Sequence, residues 1–238
     1  MADTDLAARL RAVDWPRVAA ALDERGVARL PNLLTPAECG RLAALWEDRA
    51  RFRSAVVMEC VRFGRGEYRY FARPLPAVVA RLRAALYPPL AAIANRWRAT
   101  LGGDAPFPER LDRFLARCAA HGQRRPTPLL LRYGVGDFNR LHQDLYGRVA
   151  FPLQVAIGLD RPGRDYEGGE FLLLEQRPRM QSRGTAITLA QGEAVVFPSW
   201  ARPVAGRRGA SRATMRHGAS EVTRGVRRVL GIIFHDAA

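Results

Sequence analysis

Apolar and polar positions change their period near the middle of the chain. Before residue 125 most apolar positions recur at helical spacing. After Pro126 short apolar runs alternate with turn residues at close intervals, which is typical of a β-sandwich or barrel. These runs are 129–133, 151–159, 171–174, 185–189, 194–197 and 227–234. The pattern predicts a mainly β protein with a helical extension: a helical region over 1–125 that carries a β-ribbon, and a β core over 126–238.

Helix boundaries in the first half follow from capping residues and prolines. Asp14 stands before Trp15-Pro16 and predicts a helix start, and Gly26 predicts its end. Apolar residues also recur at helical period over 76–101. Two consecutive prolines at 88 and 89 interrupt that segment, so two helices are predicted there.

Two arginine-rich segments each have two interpretations. Over 62–73 arginines alternate with aromatic residues around Gly64-Arg65-Gly66. This is either a surface ribbon that stacks unpaired bases and binds phosphates, or a hairpin whose aromatic side chains pack on the core. Segment 205–213, inside the longer stretch 200–216, is loop-like in composition. We interpret it as an ordinary basic surface loop, with a mobile lid as the alternative.

Length and composition fit a soluble globular protein. The 238 residues suit one large domain or a core with an extension, and the chain is 48% hydrophobic and 26% charged. There is no run of about 18 apolar residues, so no membrane span is predicted. The N-terminus lacks the basic and apolar parts of a signal peptide. Cys39, Cys60 and Cys118 are isolated, which predicts reduced, buried thiols in a cytoplasmic protein.

The net charge of +15 has two explanations. All 38 basic residues are arginine, which is typical of a compositional bias. The charge would nevertheless attract polyanions at pH 7, so an affinity for nucleic acid is the other explanation.

Metal-ligating residue types occur at informative spacing in the second half. His142 and Asp144 are two apart, so a strand would point both side chains to one face. His217 on a later strand would complete two imidazoles and one carboxylate, the facial triad of non-heme Fe(II) oxygenases. Arg227, ten residues further on, would bind a carboxylate of 2-oxoglutarate. Arg228 competes for that role, and strand alternation would put only one of the two inside.

Other histidines are interpreted as structural. His121 is predicted to lie at a helix end, and His235 beside Asp236 lacks the His-x-Asp spacing.

The motifs together resemble the Fe(II)/2-oxoglutarate-dependent dioxygenase superfamily, particularly its prolyl-4-hydroxylase-like branch. The similarity covers 126–238 well and 27–50 loosely. The matching motifs are Arg132-Tyr133-Gly-Val-Gly136, Leu141-His142-Gln143-Asp144, Tyr-x-Gly-Gly-Glu at 166–170, Gly-Glu-Ala-Val-Val-Phe-Pro-Ser at 192–199, and His217 with Val-Thr-Arg-Gly-Val-Arg at 222–227.

This resemblance implies a double-stranded β-helix, or jelly roll, and an oxidoreductase. It implies that His142, Asp144 and His217 hold Fe(II), and that Arg227 binds the C5 carboxylate of 2-oxoglutarate with Tyr133 near the same end. Dioxygen would be the second co-substrate, and ascorbate is a candidate reductant. One departure is the long arginine-rich stretch between Ser199 and His217, which predicts a different substrate surface.

The chain also resembles a bacterial group of these oxygenases proposed to demethylate alkylated DNA. With the charge and the ribbon, this predicts hydroxylation or demethylation of damaged nucleic acid in DNA repair, with single-stranded or damaged DNA or RNA as partner. One alternative is a prolyl or other protein or small-molecule hydroxylase. Another is a basic nucleic-acid-binding protein without catalysis. The sequence lacks the Asn-x-Thr-x-x-Arg-like run of well-known nucleobase demethylases, and it makes no prediction of oligomeric state.

Overall fold

The computed structural model describes residues 2–103, 105–206 and 209–238. The helices are α1 Ala2–Arg11, α2 Trp15–Arg25, α3 Pro36–Ala44, α4 Ala77–Thr100 and α5 Leu111–Ala120. The strands are β1 Ala28–Leu30, β2 Phe52–Val57, β3 Gly64–Arg65, β4 Glu67–Phe71, β5 Leu129–Tyr133, β6 Phe138–His142, β7 Leu153–Gly158, β8 Tyr166–Gly168, β9 Phe171–Gln176, β10 Arg183–Ile187, β11 Ala194–Pro198, β12 Ala201–Gly206, β13 Gly209–Ala219, β14 Val222–Gly225 and β15 Arg227–Ile232.

Two antiparallel sheets form the core. The large sheet has the order β1-β11-β7-β15-β5-β4-β2, and the small sheet has the order β10-β9-β13-β6-β3, with β12 paired to β13. Side chains of both sheets share one apolar cluster, with Val195 and Val229 from the large sheet and Phe171 and Met215 from the small sheet. The sheets therefore face each other, and the predicted mainly β, jelly-roll architecture with a helical N-terminal region is confirmed.

Helices cover the other face of the large sheet. Side chains of β7 alternate between its two faces. Leu153 and Ile157 point to the helical side and pack in one cluster with Leu86 and Leu90 of α4. Gln154 and Ala156 line the space between the sheets. Because helices and sheet bury both faces, every residue of β7 is buried.

The N-terminal half contributes strands to both sheets. Strands β1, β2 and β4 belong to the large sheet, and β3 pairs with β6 of the small sheet. A division of the chain at residue 125 stays a prediction. The predicted caps of α2 are confirmed, since Asp14 accepts a hydrogen bond from the Arg17 backbone and Gly26 adopts the left-handed conformation.

The predicted break at Pro88-Pro89 is wrong, because α4 is one helix that contains both prolines. Pro88 lies on its exposed side, while Leu86, Tyr87 and Leu90 are buried. Packing on the core thus keeps the helix continuous despite the lost backbone donors. By length and composition this helix is also able to cross a membrane, although no membrane span was predicted from the sequence. Half of its 18-residue apolar window is buried in the protein.

The described residues of segment 205–213 belong to strands, so the favoured interpretation of a loop is wrong for them. Strands β12 and β13 form a regular antiparallel hairpin, and residues 207 and 208 between them lie outside the described residues. The side chains of Ala213 and Met215 are fully buried. Arg202 is only 1% exposed, binds Glu175, and donates to the backbone carbonyls of Asp23 and Glu24 at the end of α2. These contacts anchor the hairpin to the helical layer.

The aromatic segment 62–73 packs mainly on the core. Tyr68, Tyr70 and Phe71 are buried, so the interpretation of these rings as a surface ribbon for unpaired bases is wrong. These aromatic side chains are buried because β4 lies inside the large sheet, between β5 and β2. Cys39 and Cys118 are buried as predicted, whereas Cys60 is exposed. The cytoplasmic location stays a prediction.

Candidate metal centre

Three predicted ligand residues meet on the inner face of the small sheet. His142 ends β6, Asp144 follows two residues later, and His217 lies on β13 directly opposite His142 in the strand register. Asp144 Oδ2 is 3.1 Å from His217 Nε2, and Asp144 Oδ1 is 3.6 Å from His142 Nε2. Candidate ligand atoms of all three residues lie within 4.8 Å of one another. Within the described ranges this is the one such group of three metal-ligating side chains.

This arrangement fits a divalent metal ion. Two donors about 2.1 Å from one ion at a right angle are about 3 Å apart, close to the distances found here. Two imidazoles and one carboxylate on one side of an ion are the donor set of non-heme iron oxygenases, and they leave positions open for co-substrates.

Electrostatics keep His142 and Asp144 in their metal-binding forms. Burial lowers the pKa of His142, and the neighbouring His217 lowers it further, so its ring is neutral at pH 7. Burial alone would raise the pKa of Asp144, but the hydrogen bond to His217 and the two imidazoles outweigh it and hold the pKa well below its usual range. A neutral imidazole and an ionised carboxylate are the forms that bind metals.

Tyr146 is a site residue that the sequence prediction missed. Its hydroxyl donates a 2.5 Å hydrogen bond to Asp144 Oδ1. Tyr70 in turn forms a hydrogen bond with Tyr146. These phenols orient the carboxylate, as partners of metal ligands generally do. The spacing Asp144-x-Tyr146 continues the His-x-Asp alternation and is the signal that would have indicated it.

Aromatic rings enclose the two histidines. Phe63 stacks on His142 with ring centroids 5.5 Å apart, and Phe197 lies 4.8 Å from His217. They limit the rotation of the imidazoles and restrict access of water to the centre.

Arg227 faces the same cavity from the large sheet. It begins β15 opposite Tyr133 of β5, is only 4% exposed, and has its guanidinium 5.4 Å from the centre of the Tyr133 ring. It hydrogen-bonds Tyr166, and it has no carboxylate partner among the described residues. Arg228 points away and binds Asp160 through two nitrogens, at 2.7 and 3.1 Å. Of the two arginines, only Arg227 is therefore available to a ligand in the cavity.

Polar side chains beside Arg227 also have spare hydrogen-bonding capacity. Burial raises the pKa of Tyr133 to about 12, so its hydroxyl is neutral. Its oxygen accepts a hydrogen bond from Asn139 Nδ2. In the described structure Asn139 Oδ1 and Gln154 Nε2 are buried without a partner. A bound ligand would provide partners for these atoms.

The remaining histidines lie elsewhere. His121 is exposed at the end of α5, with Nδ1 2.9 Å from the carbonyl oxygen of Arg117. His235 is fully buried, and its Nδ1 accepts a hydrogen bond from the backbone N–H of Phe151. Neither belongs to the three-residue metal group.

The sequence of this chain matches the model of one protein family. Residues 66–237 match the model of Oxygenase-NA, described as an oxygenase catalysing oxidative methylation of damaged DNA. An uncharacterised protein of Mycobacterium tuberculosis (strain ATCC 25618 / H37Rv) is 56% identical over 168 residues, which are 71% of this chain and 72% of the relative.

Solved structures show the same fold at low sequence identity. A Pseudomonas putida prolyl-4-hydroxylase has a TM-score of 0.52 at 15% identity, over 94% of this chain and 99% of the other. An oxidoreductase of the 2OG-Fe(II) oxygenase family from Burkholderia pseudomallei has a TM-score of 0.53 at 20% identity, over 95% and 94%. These likenesses place the chain in the double-stranded β-helix fold of such oxygenases.

Proposed function

We propose that this chain, which belongs to the Oxygenase-NA family and is therefore an oxidoreductase, oxidises methyl groups on damaged DNA using Fe(II), 2-oxoglutarate and O2. Adding a methyl group is not an oxidation, so the direction we propose is demethylation. An N-methyl group gains one oxygen atom and becomes N-hydroxymethyl, which loses formaldehyde and leaves N–H. The second oxygen atom enters 2-oxoglutarate, which becomes succinate and CO2.

One observation carries the cofactor part of this proposal. His142, Asp144 and His217 on the small sheet and Arg227 on the large sheet line the same cavity. An ionised arginine that is buried without a carboxylate partner is costly unless a ligand neutralises it. The distal carboxylate of 2-oxoglutarate suits a guanidinium, which binds carboxylates through two parallel hydrogen bonds. When bound by the triad, iron would supply the activation of O2.

The chain's own residues position the reactants. Arg227 would hold the distal end of 2-oxoglutarate, while Gln154 Nε2 is a free donor for one of its other oxygens. Tyr146 fixes Asp144, and apolar side chains including Leu131 and Val229 keep water out of the cavity. A dry cavity strengthens these polar contacts and limits side reactions.

Damaged DNA as substrate has two supports. The family description names it, and the net charge of +15 favours polyanions. The likeness to a prolyl-4-hydroxylase concerns the fold alone and does not favour a peptide.

A turnover assay tests the proposal. Succinate release with Fe(II), ascorbate and O2 is compared for an N-methylated single-stranded oligonucleotide, its unmethylated copy and a proline-rich peptide. We expect the methylated oligonucleotide to stimulate release together with formaldehyde. His217→Ala should abolish this, and the matched control His121→Ala, at an exposed helix end, should not. Stimulation by the peptide alone would contradict the proposal.

Substitutions of Arg227 and of its neighbour Arg228 test the role of Arg227. Arg227→Gln should raise the KM for 2-oxoglutarate about 10- to 100-fold, the effect of losing a charged hydrogen bond. Arg228→Gln removes the same charge one residue away and should leave this KM unchanged, because Arg228 binds Asp160. Equal effects of the two substitutions would contradict the assignment.

A further inference from the structure

We propose that single-stranded nucleic acid crosses the mouth of the cavity on one defined surface, here called the rim, which consists of 61–65 and 140–148. This inference rests on the proposed function and adds where the strand binds. Arginines of the rim would bind its phosphates, and exposed apolar side chains of the rim would contact the bases next to the one that enters the cavity.

The two segments of the rim form one continuous surface beside the metal centre. Gly64 of β3 pairs with Asn139 of β6, and the Arg140 backbone N–H donates a 2.7 Å hydrogen bond to the carbonyl oxygen of Phe63. Phe63 also stacks on His142. Residues 140–148 contain two of the three proposed metal ligands, so any molecule lying on the rim is next to the reacting atoms.

Apolar side chains of the rim are exposed to an unusual degree. Val61, Leu141 and Leu145 are 43%, 41% and 50% exposed. They make up three of the six exposed large apolar side chains in the described residues, the others being Val57, Val135 and Met180. Apolar exposure concentrated at the entrance of a cavity is typical of a binding surface.

Three of the four arginines of the rim have no carboxylate partner among the described residues. Arg62, Arg140 and Arg148 are exposed and form no ion pair within the described ranges. The fourth, Arg65, lies 3.6 Å from Glu59. The rim therefore presents uncompensated positive charge.

The backbone at Arg62 is a separate observation. Arg62 has a φ of 61°, a left-handed conformation that residues other than glycine rarely adopt. Such conformations cluster at functional sites. Here it ends the short 3-10 helix Met58–Val61 and places a free arginine directly before Phe63.

Charge and apolar exposure together favour a single strand. Phosphates bind arginines in any nucleic acid, but bases contact apolar side chains only where they are unpaired. A duplex hides its bases, and a base must leave the stack to reach an atom inside a cavity between two sheets. Acidic peptides share the charge but have no bases to contact the apolar residues.

Fluorescence anisotropy of a labelled, unmethylated single-stranded oligonucleotide tests the rim without turnover. Arg62→Ala with Arg140→Ala should weaken binding at low salt about tenfold. The slope of log K against log salt should fall by about 1.4, because two phosphates are no longer neutralised by the protein. The matched control removes two exposed arginines elsewhere, Arg41→Ala with Arg113→Ala, and should keep the slope. Lysine at 62 and 140 should restore it.

A second pair of variants tests the apolar part. Leu141→Ser with Leu145→Ser should weaken binding at high salt and leave the slope of log K against log salt unchanged. The control Met180→Ser should leave binding at high salt unchanged. Equal affinity for duplex or for a polyglutamate peptide would overturn the single-strand inference. If the methylated oligonucleotide stimulates turnover while the rim variants bind DNA like the parent, the inference about the rim is wrong and the proposed function still stands. The proposed function fails if the methylated oligonucleotide never stimulates turnover.

Discussion

Two buried clusters in this chain contain the same residue types but differ in whether their arginine is paired with a carboxylate. The cavity cluster consists of His142, Asp144, His217 and Arg227, and the C-terminal cluster consists of Arg83, His235 and Asp236. In the C-terminal cluster Arg83 donates to two backbone carbonyl oxygens and, at 2.7 Å, to Asp236. In the cavity cluster Arg227 has no carboxylate partner among the described residues, and three ligand atoms converge.

The difference shows what separates a structural cluster from a candidate site. Residue type does not, since each cluster has histidine, aspartate and a buried arginine. Arg83 and Asp236 neutralise each other, so neither charge is left for a ligand. In the cavity cluster the carboxylate and the arginine are on opposite sheets, and each is left for a ligand.

The largest expected effect is on the cavity cluster. Asp144→Ala removes the carboxylate between the two imidazoles, so Fe(II) affinity and turnover should fall by more than about 100-fold, beyond the loss typical of residues that only orient a ligand. Calorimetric titration of the metal-free protein with a divalent ion measures the affinity. Asp137→Ala, outside the metal group, should retain it. Binding of metal by Asp144→Ala at parent affinity would contradict the assignment.

The equivalent change in the C-terminal cluster should affect stability instead. Asp236→Ala leaves Arg83 buried without its counterion and should lower the free energy of unfolding by about 3–5 kcal/mol. Urea denaturation of metal-free protein measures this. Asp112→Ala breaks an exposed pair with Arg110 and should change stability little. If Asp236→Ala is as stable as Asp112→Ala, the two clusters do not differ as described.

The pH dependence of stability sharpens the comparison further. Burial lowers the pKa of His235 to about 4, below the value of about 6.5 in an unfolded chain. The contribution of the neutral His235 ring to the free energy of unfolding is complete above pH 6.5. It is lost as the pH falls toward 4, because the unfolded chain takes up the proton first. The full loss is about 3 kcal/mol over this window.

Urea denaturation of metal-free protein at several pH values measures that loss. His235→Asn keeps an acceptor for the Phe151 N–H but cannot titrate, so its stability should depend less on pH. Some dependence should remain, since the pKa of His142 is lowered in the same direction. Identical pH profiles of parent and variant would contradict this prediction.

The smallest effect concerns the orientation of the metal ligand. Tyr146→Phe removes the hydrogen bond to Asp144 and should weaken metal binding about tenfold. Tyr87→Phe is the matched control, because that buried hydroxyl donates to Pro108 in the helical layer. It should leave metal affinity unchanged. Equal affinities of all three proteins would show that Tyr146 does not position the carboxylate.

The sequence predicted those features that depend on short, regular spacing. Alternation along a strand is enough to place His142 and Asp144 on one face, and the cap of α2 depends on residues within one turn. The structural difference between Arg227 and Arg228 is not visible in the sequence, since it depends on Asp160, 68 residues away from Arg228.

Features that depend on tertiary packing were missed. The buried residues before and after Pro88 keep α4 continuous, and no local sequence pattern predicts that they are buried. Arg202 is buried through contacts with Glu175 and the end of α2, so an arginine-rich segment that looked like a loop is a hairpin. Tyr146 was missed because only the folded chain shows which acceptor its hydroxyl reaches.

The register of β13 also limits how the gene can change in length. From Thr214 to Ala219 this strand is paired continuously with β9, and His217 lies opposite His142 of β6. Inserting or deleting one codon there would turn His217 to the opposite face of the sheet. The six codons from 214 to 219 should therefore keep a constant number during evolution.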